Sequence, residues 1–566
     1  MPMIRQTLII LLVLQTITSC VASTCDDRPL RRPLRSSYDY IIVGGGTSGA
    51  VLASRLSEGS DSVLLVEAGR SDLENAFVPV PAFSSTIQLT PDDWNYFSVP
   101  QKRTGLGLND RRGYWPRGKI LGGCSSTGYH AHNRGSKFDY DEWSREGAKG
   151  WSYKNVLPYF LKSEDMQIPE LSQSRFCPMQ SNIKNGTRCS SVSCFLRRVL
   201  HRPNLQVSVK THCSKVLIRR RRAIGVEVIK DDKRLRIFAN KEVILSAGII
   251  NSPQILMLSG IGPASHLRKF GIPVMSNLPV GKNLQDQLSI ILHYTIDDDI
   301  TYTSEKLTDS ANFQQWNASR TGILTRAGTD GTLFAKTAPS SQTPDNYPDV
   351  WILGFSYASD VGIIESGLKF NYKPNVIENQ VKNADSSGFN LFPTLVRPES
   401  KGTVRISSNN PFVAPTITPN HLASAKDIKT MLRGIRLAQK LVATRSFQMV
   451  KPRFLRRDFG RICKQRFNSN AYWICMLRHF SVHIYHACCT NRMGARNDPS
   501  AVVDQKLRVR GIRNLRVVDA SVMRNQIAGD PHAVAIMIAE KAADIIRCTD
   551  TVGKWRRQVS SLFQCH

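Results

Sequence analysis

Residues 38–69 read YDYIIVGGGTSGAVLASRLSEGSDSVLLVEAG, and this stretch decides the fold. Tyr40, Ile41, Ile42 and Val43 make the short apolar run of a buried strand, which ends at Gly44, Gly46 and Gly49 in G-x-G-x-x-G spacing. Gly44 permits the tight bend, Gly46 lets a pyrophosphate approach the backbone, and Gly49 lets the next helix, Ala50 to Ser57, pack close to the strand. The free N–H groups at the helix start, around Thr47 and Ser48, face the phosphates with the macrodipole behind them. A second strand, Val63 to Val66, ends in Glu67, placed to accept hydrogen bonds from an adenosine ribose and to disfavour a 2′-phosphate. A glycine-rich turn alone is weak evidence. Strand, turn, helix, strand and acid in that order make a dinucleotide-binding unit, with NAD and FAD both open.

Upstream, residues 1–22 have the shape of a secretory signal peptide: Arg5, an apolar stretch from Thr7 to Thr18, then small residues around Ala22. No later segment is apolar for long enough to span a bilayer, so a secreted, extracellular protein without a transmembrane anchor is expected. Two glycosylation sequons, at Asn185 and Asn317, are then usable, which makes a glycoprotein of the chain. The 13 cysteines show no paired C-x-x-C ligand pattern, and no metal site is expected. Cys463 and Cys475 bracket a short loop and are the first choice for a disulfide, whereas the adjacent Cys488 and Cys489 are not expected to pair with each other. The formal charge of +31 is the compositional outlier, with arginine clusters at 31–35, 219–222 and 453–461. Such a surface favours acidic glycans or other anionic surfaces, with a merely solvated basic face as the alternative. No DNA- or RNA-binding motif accompanies it, so nucleic acid is not an expected partner.

Downstream, Lys241 to Gly248 reads as another strand delivered to a glycine turn, with a helix over Ser252 to Ser259. Near the C-terminus Leu515 to Asp519 is again strand-like and Ala533 to Arg547 is an amphipathic helix. The nucleotide-binding domain is thus built from both ends of the chain. An NAD domain is normally contiguous, so this layout favours FAD. The expected division is 38–290 mainly nucleotide-binding with an insertion near 150–195, 291–480 mainly a substrate domain, and 481–548 returning to the nucleotide and the active site.

These motifs, together with PRGKILGGCS (116–125), DYDEW (139–143), the segment Gly150 to Asp165, Ser246 to Gly262, Leu278 to Asp286 and HACCTNRMG (486–494), resemble the glucose-methanol-choline (GMC) oxidoreductases over nearly the whole chain. Phrases such as WSYKNVLPYF (151–160) and AYWIC (471–475) are most similar to the secreted glucose-dehydrogenase-like branch of invertebrates. The resemblance implies an α/β fold: a Rossmann-like FAD-binding domain with an inserted α+β substrate domain on an antiparallel sheet. It implies oxidation of an alcohol or sugar hydroxyl, with oxygen or a quinone as electron acceptor. It also places Ile120 and Gly122 to Ser125, including Gly123, along the flavin, Cys213 at the adenine, and Asp519 and Ala520 at the pyrophosphate and ribityl.

Hydride transfer from an alcohol carbon leaves a proton that a base must take, and histidine suits that near neutral pH. His486 matches the family's base. Asp530, in the run Gly529-Asp-Pro-His532, falls where the family has His or Asn, which leaves Asp530 and His532 as the other catalytic candidates. FAD is expected to be non-covalent, since no histidine lies at 124–128. Four departures stand out: Gly128 where the family has an asparagine, Asn491 for a cysteine, Asp530, and several dozen residues missing between Asp165 and Arg188. An ionised Asp530 accepts hydrogen bonds but donates none, and its charge opposes a developing alkoxide, so it is expected to hold activity back. A carboxylate beside His486 would instead steady an imidazolium. An active dehydrogenase or oxidase, a flavin-binding homologue without turnover, and a basic interaction protein on a vestigial flavin fold therefore all stay open.

Overall fold

The computed structural model describes residues 27, 30, 32–165, 176–339, 347–357, 370–376, 387–456 and 462–548, so the leader expected at 1–22 lies outside the described residues. The first strand is Ser37–Val43, and its lower half is fully buried because Ile41 and Ile42 are covered on both faces. It pairs in parallel with Val63–Val66 on one side and with the long strand Lys233–Leu245 on the other. Leu205–Ser208 extends the sheet beyond Val63–Val66, again in parallel. Parallel strands covered on both sides read as continuous Val, Ile and Leu, as residues 41–43 and Val63–Val66 do.

The 13-residue strand Lys233–Leu245 serves two neighbours. Its first half runs antiparallel to Arg222–Lys230, which turns back into Thr211–Arg219. Its last three residues pair in parallel with Leu515–Val517, near the chain's other end. The sheet closes only with that C-terminal strand.

The helix Thr47–Leu56 leaves the glycine turn and packs against the terminal helix Pro531–Arg547, where the Ser48 hydroxyl donates to the Ala535 carbonyl. Glu540, with a fully buried side chain, binds Arg55 at 2.7 Å and Lys162 at 2.7 Å. One carboxylate thus joins three helices, the third being Tyr153–Ser163.

A second sheet forms the other half. Its antiparallel strands run in the order Arg453–Phe454, Leu292–Thr295, Gly388–Leu395, Val350–Phe355, Thr329–Ala335 and Cys177–Pro178. The helix Ala425–Val442 lies against it. Met431, Ile435, Ala438 and Val442, spaced four, three and four apart, share one core with Val350, Ile352, Leu391 and Leu395. The expected insertion near 150–195 is split between the halves: Val156 and Phe160 join the nucleotide-side core, and Cys177–Pro178 adds a strand to the second sheet.

Disulfides link Cys463 to Cys475 and Cys189 to Cys194. The expectation that Cys488 and Cys489 would not pair is corrected: they are bonded to each other. Cys489 adopts a left-handed φ of 78°, which turns the chain between the two residues, a backbone setting that spacing alone does not reveal.

Candidate functional site

One continuous cleft runs between the two halves, from the glycine turn at Gly44 and Gly46 to His486, Asp530 and His532. At the turn, a Cβ on Gly46 would meet nothing closer than Gly123 Cα at 3.8 Å, so bare backbone faces the cleft. Gly49 differs. A Cβ there would lie 1.9 Å from the Gly44 carbonyl oxygen, so this glycine seats the helix on the strand and does not line the cleft. Thr47 and Ser48 line it at the helix start.

Glu67 also lines the cleft, but both its oxygens already accept backbone N–H groups, from Gly45 at 2.8 Å and Gly69 at 2.8 Å. Burial pushes its carboxyl up to about 7, against the pull of those amides. Each oxygen keeps a lone pair for a ribose hydroxyl. Cys213 faces the cleft from the strand Thr211–Arg219, its thiol pushed up to about 12 by burial, which makes it a wall and not a nucleophile.

Asp519 caps the second turn. Its carboxylate accepts from the Gly248 N–H at 2.9 Å, the Ser252 hydroxyl at 2.6 Å and the Ser521 N–H at 2.8 Å. The helix therefore starts at Gly248, a turn earlier than the sequence pattern indicates, and Pro253 falls inside it. Proline cannot donate to the Ile249 carbonyl, and the Thr490 hydroxyl does so instead at 2.7 Å. Ala520 lines the cleft beside Asp519. Gly123 and Ser125 reach it as well, whereas Ile120 and Gly122 stand behind the wall, Ile120 packed on Val78 and Ile87. The Ser246 hydroxyl, in the same wall, is buried without a hydrogen-bond partner among the described residues. Exposed backbone at a helix start, a carboxylate lining the cleft and an orphaned hydroxyl together fit an adenine dinucleotide.

At the far end the backbone zips His486 into place: Cys488 bonds to Gln285, Cys489 to Ala520 and Asn491 to Ser521. The imidazole stacks on Trp351 with ring centres 5.7 Å apart. Nδ1 lies 2.8 Å from Gln287 Oε1, and Nε2 lies 2.8 Å from Asp530 Oδ2. Asp530 also caps the terminal helix by accepting the His532 N–H at 2.6 Å, with Pro531 at the first helical position. Burial opposes ionisation of Asp530, but the adjoining His486 and the His532 N–H hold its carboxyl below the usual range. His532 is pushed down to about 4, chiefly by burial and then by His132.

Local pattern gave no sign of three further residues. Gln287 fixes the His486 ring, Trp351 covers it, and Arg188 lies buried behind the Gly128 turn, donating to the Gly128 carbonyl at 2.7 Å and the Ser84 hydroxyl at 2.8 Å. Burial lowers the Arg188 guanidinium to about 9. His483, upstream of His486, is tied between Asp286 at 2.9 Å and the Tyr114 carbonyl at 2.7 Å.

The GMC oxidoreductase profiles match residues 38–170 and 165–289 in the N-terminal part and 398–539 in the C-terminal part. A glucose dehydrogenase [FAD, quinone] of Drosophila pseudoobscura pseudoobscura is 33% identical, covering 90% of this chain and 87% of its own. The chain belongs to the GMC oxidoreductase family. The mitochondrial choline dehydrogenase of Mus musculus is similar at 33% identity over 91% of this chain and 90% of its own, and the ecdysone oxidase of Bombyx mori at 33% over 90% and 82%. A formate oxidase structure from Aspergillus oryzae superposes with a TM-score of 0.77 at 24% identity, covering 91% of this chain and 99% of its own. Among GMC features, the asparagine at 491 is buried away from the cleft, where its amide donates to the Ser521 hydroxyl at 3.0 Å. That departure belongs to the scaffold. Asp530 lies in the cleft itself.

Proposed function

We propose that this GMC oxidoreductase is a secreted FAD-dependent enzyme that oxidises an alcohol or sugar hydroxyl, with oxygen or a quinone as the final acceptor. The observation that carries the reading is the single cleft joining the dinucleotide turn to His486 and Asp530. Gly46, Glu67, Cys213 and Asp519 would hold the dinucleotide, and bound flavin supplies the two-electron acceptor for the hydride leaving the alcohol carbon. The chain's own residues do the rest. Trp351 covers the imidazole and keeps water from that face. The His486–Asp530 pair receives the alcohol proton, in the place where family resemblance puts His486 as base.

The flavin is held without a covalent link, so acid denaturation should release it from the chain. Purified protein should be yellow and bleach when an accepted alcohol is added without oxygen or quinone. Yellow protein that no alcohol bleaches would instead support a flavin-binding homologue without turnover. His486→Ala should lower turnover by ~100- to 10,000-fold with flavin content intact, and unchanged turnover would remove His486 from the mechanism. Of the two sequons, Asn185 sits exposed in a hairpin turn and Asn317 lies half-buried in a helix. Glycan mass is therefore expected at Asn185. The exposed arginines 219–222 at the hairpin between the strands Thr211–Arg219 and Arg222–Lys230 would carry any binding to acidic glycans. Retention on a sulfated-polysaccharide resin should weaken steeply with salt.

A further inference from the structure

The second sheet has two faces in different surroundings, and both are apolar. Val350, Ile352, Leu391 and Leu395 belong to the core shared with the helix Ala425–Val442. The alternate residues Trp351, Leu353 and Phe355, with Phe392 from the neighbouring strand, line the cleft. A sheet face that meets only water reads polar along each strand, whereas this one is aromatic and aliphatic. Leu353 pairs with Phe392 across the strands, and the Phe355 and Phe392 rings lie 4.6 Å apart. Trp351 stacks on His486, and Phe355 stands at the far end of the same strand. At about 3.3 Å per residue the wall therefore runs for about 13 Å away from the imidazole. Its polar groups are mostly spent. His293 Nδ1 lies 2.6 Å from Asn390 Oδ1, and the Asn390 amide donates to the Tyr357 carbonyl at 3.3 Å. The Trp351 indole N–H donates to the Thr332 hydroxyl at 2.6 Å. Thr329 Oγ1 lacks a hydrogen-bond partner among the described residues, and none of the described carboxylates on this sheet lines the cleft. The histidines at 130 and 532 come instead from the segment after Gly128 and from the start of the terminal helix, which Asp530 caps. The site thus has a polar end at the pair His486 and Asp530 and an apolar wall leading away from it.

We infer that the alcohol taken by this site is a hydroxyl on an apolar, ring-bearing skeleton, and that Phe355 and Phe392 select it over a sugar. The inference rests on the proposed oxidation and names the substrate class for it. A pyranose brings several hydroxyls besides the one oxidised, and each costs about 10- to 100-fold in affinity when it leaves water without a partner. Along this wall Thr329 answers one of them. A quaternary ammonium alcohol brings a fixed charge, and the wall has no carboxylate among the described residues to meet it. An apolar skeleton needs no partner, and gains about fourfold in affinity for each methylene it buries.

The test follows anaerobic bleaching of the full-length flavin-loaded protein by cinnamyl alcohol, allyl alcohol, glucose and choline. Cinnamyl and allyl alcohol share the reacting group and differ by a phenyl ring. Cinnamyl alcohol should bleach the flavin with a second-order rate constant ~100-fold or more above glucose or choline, and ~10-fold or more above allyl alcohol. Phe355→Ala should narrow the cinnamyl-to-allyl ratio by ~10-fold, through the concentration needed for half the limiting rate and not through that rate itself, and Phe355→Leu should restore much of the ratio. Glucose or choline performing as well as cinnamyl alcohol would overturn the inference and leave the oxidation standing. So would an unmoved ratio in Phe355→Ala. Should Phe355→Ala fail to hold flavin, the selectivity of the parent protein decides by itself. If no alcohol bleaches the flavin, the oxidation falls, and calorimetric titration with cinnamyl alcohol decides the wall: binding that Phe355→Leu retains and glucose does not match upholds the apolar site, and no binding overturns it.

Discussion

At the scale of the residue, the two glycines of the first turn make opposite demands. Gly46 has open space on its cleft side, whereas Gly49 sits on a carbonyl oxygen. Gly46→Val should therefore fold with near-parental circular dichroism and carry no flavin, since only the approaching pyrophosphate is blocked. Gly49→Ala should lose fold and flavin together. If Gly46→Val kept a full complement of flavin, the dinucleotide would have to lie elsewhere. His486 shows where reading residues one by one stops short. The family match found it, but its ring is set by Gln287, 199 residues upstream, and no local spacing encodes that meeting. Arg188 and Trp351 escaped for the same reason: their positions are set by the tertiary fold.

At the scale of the element, what could be read from the sequence was whatever is local. The run Tyr40 to Val43, the glycine spacing and Glu67 lie within one strand–turn–helix–strand unit, and the structure has all of it. The helix after Ala247 starts a turn earlier than its local pattern indicates because its cap is supplied by Asp519, 271 residues away. The pairing of Cys488 with Cys489 is not legible from spacing because it depends on a left-handed residue. Helix packing offers a direct test. Glu540 neutralises Arg55 and Lys162 in the packed interface of three helices. Glu540→Ala removes the carboxylate that the two cations share, leaving Arg55 with Glu58 alone at 3.0 Å, and should cost about 3 kcal/mol in denaturant unfolding. Glu540→Met with Arg55→Met and Lys162→Met should recover much of that loss, because apolar packing replaces the broken network.

At the scale of the whole molecule, several half-buried histidines are held as neutral rings. His212, His421 and His532 are each pushed down to about 4, first by burial. In the unfolded chain they titrate at about 6.5. Between those values the unfolded state binds more protons, so stability falls as pH drops from about 6.5 toward 4. The melting temperature, followed by flavin release at fixed ionic strength, should decline across that window; a flat profile from pH 7 to 4.5 would show the rings to be solvated. The long strand Lys233–Leu245 carries a different consequence. Its end waits for Leu515–Val517, and the turn beside it waits for Asp519. On the ribosome, the N-terminal half therefore emerges with an unfinished sheet edge and an uncapped helix, and must stay in that state until the last segment leaves the tunnel. Premature stop codons anywhere before residue 515 should yield not a shortened flavoprotein but nascent chains retained by chaperones.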